Sequence, residues 1–234
     1  MEFLTLDVKG LFVALLLAAG LFFGGSANSN IFMGLFFVGA MVYFLVFSAL
    51  VTNLGKKRKK QIKLFQKARG AYNVLGNGVG PLIFAILYYV AAASGPSAVK
   101  IAIIGFLGSV AAITSDKFSS EIGVLNGAPI SIVTLKKVKK GESGGITLLG
   151  SEAGFLGAFV VAVFAELLLP AGITGSTLAL VLSVSVGGFI GMLLDSVFGV
   201  LEEKGFGNKH TSNFACSIVG GVAAVLLSQA LLFL

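Results

Sequence analysis

The sequence predicts an all-α protein, a polytopic bundle of about seven membrane-spanning helices with a cytoplasmic N-terminus and an external C-terminus. Three observations predict it. Hydrophobic residues are 56% of the 234-residue chain and charged residues only 12%, about half the charge a soluble domain carries. Glycine contributes 32 residues, with no three-residue period and only four prolines, which excludes collagen and suits close helix approach in lipid. Apolar runs near the ~20 residues that a bilayer-spanning helix needs recur along the chain, separated by short polar segments.

The first run, roughly residues 9–23, starts behind Glu2, Asp7 and Lys9 rather than the basic stretch of a secretory signal. It reads as a span, although Gly25-Ser26-Ala27 is a passable cleavage context. Further spans follow at roughly residues 31–51, 72–93, 98–114, 147–169, 176–200 and 213–234, all in one integral membrane domain, 1–234. The connections 24–30, 94–97 and 170–175 carry no charge, whereas 52–71, 115–146 and 201–212 hold most of the lysines and arginines. By the positive-inside rule the basic segments are cytoplasmic, which fixes the orientation of the whole chain. A multi-pass protein of the cell membrane follows, with no fixed-period repeat and no matched pair of broken helices of the kind seen in inverted-repeat transporters.

The remaining composition excludes several chemistries. A single cysteine, Cys216, lies in an apolar run and reads as a packing residue, and no intrachain disulfide is possible. A single histidine, His210, excludes a histidine-based metal site within one chain and reads as a solvated loop residue. The net charge of +7 comes from segments between spans, not from a soluble surface, so nucleic acid is not an expected partner.

Ionisable residues at membrane depth are costly and mark candidate sites. Asp116, Glu152 and Asp195 stand at the cytoplasmic ends of apolar runs, so something positive is expected between them, whereas Glu166 near the external end is expected to snorkel. The densest polar stretch is Thr114-Ser115-Asp116-Lys117-Phe118-Ser119-Ser120-Glu121-Ile122-Gly123. If helical, it puts Asp116 with Ser120 and Lys117 with Glu121 on shared faces. Asp116 and Glu121 then diverge by ~140° and do not chelate one ion together. A Lys117–Glu121 surface pair beside a solvated Asp116 fits the stretch as well.

Further on, Lys136-Lys137-Val138-Lys139-Lys140-Gly141-Glu142-Ser143-Gly144-Gly145 leads into the fifth span. Lysines followed by a Gly/Ser turn at a helix start form a plausible anion cradle; a flexible positive-inside loop fits equally, and no G-x-x-x-x-G-K-S/T motif is present. Residues 56–69 carry eight positive charges with Ile62, Leu64, Phe65 and Ala68 interleaved, which fits either an orientation signal or an interfacial amphipathic helix on anionic lipids. Asn77, within Gly76-Asn77-Gly78-Val79-Gly80, is expected to face a cytoplasmic cavity or a helix neighbour.

These residues resemble the phytyl-phosphate kinase family. Asp116-Lys117-Phe118-Ser119-Ser120-Glu121-Ile122-Gly123 resembles its D-T-W-A-S-E-I/L-G signature, with Lys117 and Phe118 in place of Thr-Trp. Lys137-Val138-Lys139-Lys140-Gly141-Glu142-Ser143-Gly144-Gly145-Ile146 resembles its K-x-V-P-P-G-T-S-G-G-V segment, with lysines in place of the paired prolines. Asn77-Gly78 is similar to its A-N-G element, Gly191-Met192-Leu193-Leu194-Asp195-Ser196 to its G-S-L-L-D-S, and Asn213 falls where its N-D-x-V-N run ends. Order and spacing agree over essentially the whole chain, and the family is distantly similar to CTP-dependent lipid kinases and CDP-diacylglycerol synthases.

The resemblance implies transfer of a phosphoryl group from CTP to a prenyl monophosphate at the cytoplasmic membrane face, with Mg²⁺ as cofactor. In it, Asp116 and Asp195 hold the metal, and Asp116, Glu121 and Lys137 are catalytic. Lys136, Lys140, Ser143, Gly144 and Gly145 cradle phosphates with Asn77, Ser120 and Asn213. Phosphoryl transfer needs mainly positioning and charge neutralisation, and Mg²⁺ typically takes one or two carboxylates plus waters and substrate phosphates. An ionised phosphate acceptor requires no general base; an alcohol acceptor requires one, a role open to Asp116. Two rival readings use the same residues: a cytidylyltransferase making a CDP-lipid, and a transporter of small anions or lipid phosphates.

Overall fold

The computed structural model describes residues 6–65 and 70–231. Glu2, Lys67, Ala68, Arg69 and the last three positions of the seventh expected span lie outside the described residues. Among the described residues, seven helices are long and apolar enough to cross a membrane: α1 (Val8–Gly25), α2 (Ile31–Asn53), α4 (Ala71–Ala91), α5 (Pro96–Gly123), α6 (Leu148–Leu168), α7 (Thr177–Glu203) and α8 (Lys209–Ala230). A six-residue helix, α3 (Lys56–Gln61), joins α2 to α4. The only regular non-helical element described is a two-residue antiparallel ladder, β1 (Ile130–Ser131) with β2 (Gly145–Ile146), in register Ile130↔Ile146.

Helix starts follow their capping chemistry. Asp7 accepts the Gly10 N–H at 2.6 Å ahead of α1, and Thr147 accepts the Gly150 N–H at 3.0 Å ahead of α6. Asn208 and Thr211 form a reciprocal capping box at α8. Each satisfies amide groups that a first turn leaves unpaired.

Two expected loops are shorter than the sequence indicates. The polar stretch after Thr114 stays helical to Gly123, making α5 28 residues long, or ~42 Å at 1.5 Å per residue. That exceeds the ~30 Å hydrocarbon core, so hydropathy registers the apolar part and misses the last two turns. At the other connection, α8 begins at Lys209, and His210 sits in its first turn with its ring 5.8 Å from Tyr72 instead of in a solvated loop. The basic stretch also departs from a continuous amphipathic helix. α3 stops at Gln61, and Lys63 takes a left-handed φ of 58°.

Helix α5 is the axis of the bundle and packs against α2, α4, α6, α7 and α8. Small residues let α5, α7 and α8 meet backbone to backbone. A Cβ on Gly191 would lie 2.7 Å from both the Ala112 side chain and the Cys216 carbonyl, and one on Gly220 would lie 2.4 Å from Ala112. In lipid such close contact substitutes for the hydrophobic drive that is missing between helices. The seam also sets the site: Asp116 lies one turn beyond Ala112, and Asp195 one turn beyond Gly191.

Candidate functional site

The segments joining α2 to α4, α5 to α6 and α7 to α8 converge at the lysine-rich end of the bundle around a cavity of about 430 Å³. That volume lies in the range of small-molecule sites. Of the sequence-derived candidates, Asn77, Asp116, Ser120, Glu121, Lys140, Ser143, Gly144, Gly145, Asp195 and Asn213 line it. Lys136 and Lys137 do not. The backbone of Lys136 accepts the Ser131 N–H, Lys137 bridges Ile130, and both side chains are exposed. Glu152 is exposed and takes no part; Glu202, from the end of α7, lines the cavity instead.

Two charge clusters divide the cavity wall, because Asp116 and Glu121 leave α5 in different directions. On one side Asp116 and Asp195 converge on Lys209, whose ammonium lies 2.6 Å from Asp195 Oδ2 and 4.0 Å from Asp116 Oδ1. Lys209 and Asn213 are four residues apart on α8, hence on one face. Asp195 Oδ1 and Asn213 Oδ1 are buried without a hydrogen-bond partner, in residues 5% and 4% exposed. Unmet buried oxygens each cost about 1–3 kcal/mol, so these two, one of them from the carboxylate pair itself, fit a cation. Among the described residues no three His, Cys, Asp or Glu side chains group as a metal cage, and the donor set matches Mg²⁺, which completes its shell with water and substrate phosphates.

On the other side Glu121 is fully engaged. Thr52 donates to its Oε1 at 2.9 Å, Lys59 to its Oε2 at 2.6 Å, and Lys117 pairs with it one turn back along α5. Lys59 is wholly buried and also donates to the carbonyls of Val51 and Thr52 at 2.8 and 3.1 Å, at the C-terminal end of α2. A cation there meets carbonyls that the helix itself leaves unpaired. The Lys117–Glu121 pair expected from the spacing is present, but as part of a buried triad rather than a surface pair.

The Gly/Ser turn is clamped to α7. Gly144 adopts a left-handed φ of 76°, and a Cβ there would come 2.7 Å from the Ser196 carbonyl. Gly199 opposes it, its virtual Cβ 2.8 Å from the Gly144 nitrogen. Glycine at these positions brings the turn beside Asp195. The Ser143 N–H donates to Glu203 Oε1 at 2.9 Å, so one amide of the expected cradle already holds a carboxylate oxygen. Asn77 points its amide at the Asn73 carbonyl, 2.8 Å away.

Sequence reasoning missed Lys59, Lys209 and Glu202. Lys59 has no local signal among eight like charges, whereas the spacing of Lys209 to Asn213 at the start of a span was a readable one.

Fold and site together define a polytopic helical membrane protein with a mixed-charge cavity at one end. The chain belongs to the integral membrane protein DUF92 family, whose profile matches residues 2–225. It is similar to an uncharacterized membrane protein of Methanocaldococcus jannaschii, 39% identical over 198 residues covering 84% of this chain and 78% of the relative. An uncharacterized membrane protein of Synechocystis is 31% identical over 172 residues, 70% of this chain and 65% of that one. Protein PGR of Arabidopsis thaliana is 32% identical over 185 residues, 71% of this chain and 64% of the plant protein. No solved structure matches the chain.

Proposed function

We propose that the chain is a Mg²⁺-dependent kinase that transfers the γ-phosphoryl group of CTP to a prenyl monophosphate at the cytoplasmic membrane face. The observation that carries this reading is the convergence of Asp116, Asp195 and Asn213 beside the clamped Lys140–Gly145 turn in one cavity at the lysine-rich end. The resemblance of these same segments to the phytyl-phosphate kinase family supports it.

In this reading Asp116, Asp195 and the Asn213 carbonyl would hold Mg²⁺, which would supply charge neutralisation for the triphosphate. Lys140, which lines the cavity, would bind phosphate oxygens. The ionised acceptor phosphate attacks the γ-phosphorus, a new P–O–P bridge forms, the β–γ bridge breaks, and CDP leaves with its electron pair. No general base is needed. Glu121 is a positioning residue, because both its oxygens are held by Thr52, Lys59 and Lys117. Lys209, which pairs with Asp195 here, would be available to phosphate if those carboxylates held a metal.

A cytidylyltransferase uses the same residues and differs in its product: a kinase releases CDP, a cytidylyltransferase pyrophosphate. Product analysis with CTP and a prenyl monophosphate tests the reading; pyrophosphate release would replace it. A transport pathway fits less well. One turn deeper than the aspartates, α5, α7 and α8 touch so closely at Ala112, Gly191 and Gly220 that a Cβ has no room between them.

A further inference from the structure

A second, apolar crevice of about 60 Å³ runs between α1, α2 and α4. Leu17 and Leu21 of α1 and Val38 and Met41 of α2 form its deeper walls. Its upper end is not separate from the polar cavity, because Phe44, Asn73 and Asn77 line both. The packing explains why it exists. Helices α2 and α4 each pack against α1 and against α5, but hardly against one another. Among the described residues, α1 bridges that seam and roofs the gap.

Depth and polarity both match a phosphorylated lipid. The α1 residues lining the crevice, Ala14, Leu17, Ala18 and Leu21, span about 10 Å at 1.5 Å per residue. One leaflet of a ~30 Å core is about 15 Å deep, so the crevice spans most of one leaflet below the polar end. A headgroup in the polar cavity would meet Lys140 and Lys209, and its tail would descend along α1 without crossing a polar group after Asn77.

We propose that this crevice is the tail subsite for the acceptor, a lipid monophosphate with one hydrocarbon chain, which enters from the bilayer alongside α1. The inference rests on the kinase reading for the headgroup's fate, but the subsite itself is a statement about binding. A tail leaving the bilayer for the crevice gains little, since lipid is as apolar as leucine. The crevice therefore selects tails by fit and sets the phosphate in register with the cavity, while the headgroup supplies affinity. Phe44, at the junction, marks where phosphate ends and tail begins.

Ala18 lines the crevice from α1, and Ala18→Phe fills it without touching the polar cavity. With Mg²⁺ and CTP, this variant is expected to raise the apparent KM for geranylgeranyl monophosphate by about tenfold and to leave that for dimethylallyl monophosphate near wild type. Met41→Trp narrows the crevice from α2 and is expected to behave alike, which guards against a fold defect private to one variant. Independently of turnover, geranylgeranyl monophosphate with a photoreactive diazirine at its tail end is expected to label peptides carrying Leu21 or Val38. Equal losses for both chain lengths in both variants, no loss in either, or labelling confined to α6 and α7, would overturn the subsite. Labelling at Leu21 or Val38 in a protein that never consumes CTP would keep the subsite and remove the kinase reading.

Discussion

The ammonium of Lys209 lies 2.6 Å from Asp195 Oδ2 and 4.0 Å from Asp116 Oδ1, between two carboxylates that come from different helices. A tethered cation occupies the neighbourhood in which a divalent ion is proposed to bind. Two carboxylates with one lysine leave a single negative charge for the metal; without the lysine they leave two.

Lys209→Met is therefore expected to raise the affinity of the nucleotide-free protein for Mn²⁺ by about tenfold or more, since removing a competing unit charge in a half-buried site is worth over 1 kcal/mol. Electron paramagnetic resonance of free Mn²⁺ reads this directly. Adding Asp195→Asn to Lys209→Met should abolish the gain. An unchanged or weaker Mn²⁺ affinity in Lys209→Met would contradict the assignment.

Lys59 and Lys60 are neighbours with opposite fates. Lys59 is wholly buried on Glu121, whereas Lys60 is exposed. Lys59→Met should destabilise the protein by about 3 kcal/mol, the lower end for breaking a buried pair, because Lys117 still partners Glu121. Lys60→Met should change stability by less than about 0.5 kcal/mol. Thermal unfolding in detergent compares the two, and equal shifts would refute the buried triad.

Within the lysine-rich turn the cavity faces Lys140 rather than Lys137. Lys140→Ala should raise the apparent KM for CTP by about tenfold, as loss of one charge-assisted contact does. Lys137→Ala should leave it close to wild type. Steady-state kinetics over a CTP series checks the order, and a larger effect at Lys137 would reverse it.

Gly191 meets Ala112 and Cys216 with no space for a side chain. Gly191→Val should force α7 away from α5, cost about 1–3 kcal/mol as overpacking does, and separate Asp195 from Asp116. Loss of Mn²⁺ binding in a protein that still runs as a folded species on size exclusion is the expected result; retained binding would show that the seam does not set the site.

The spans were legible because twenty-residue apolar runs and alternating basic segments are one-dimensional signals. Helix ends were less so. Residues 115–123 read as loop because they are polar, yet their polar groups face a cavity between helices. The aspartates were legible as ionisable residues next to apolar runs, and the Gly/Ser turn as a glycine cluster. Lys59 was not, since its burial depends on Glu121, 62 positions away. Lys136 and Lys137 misled for the converse reason: charge density marks a face of the protein but not which side chains of that face turn inward.

The most direct test is incubation of the purified protein with Mg²⁺, CTP radiolabelled in its γ-phosphate, and geranylgeranyl monophosphate, followed by lipid extraction. Label in geranylgeranyl diphosphate, lost in Asp116→Asn and in Asp195→Asn, is the predicted result. Label recovered only in pyrophosphate, or no CTP consumed with any prenyl phosphate, would contradict it.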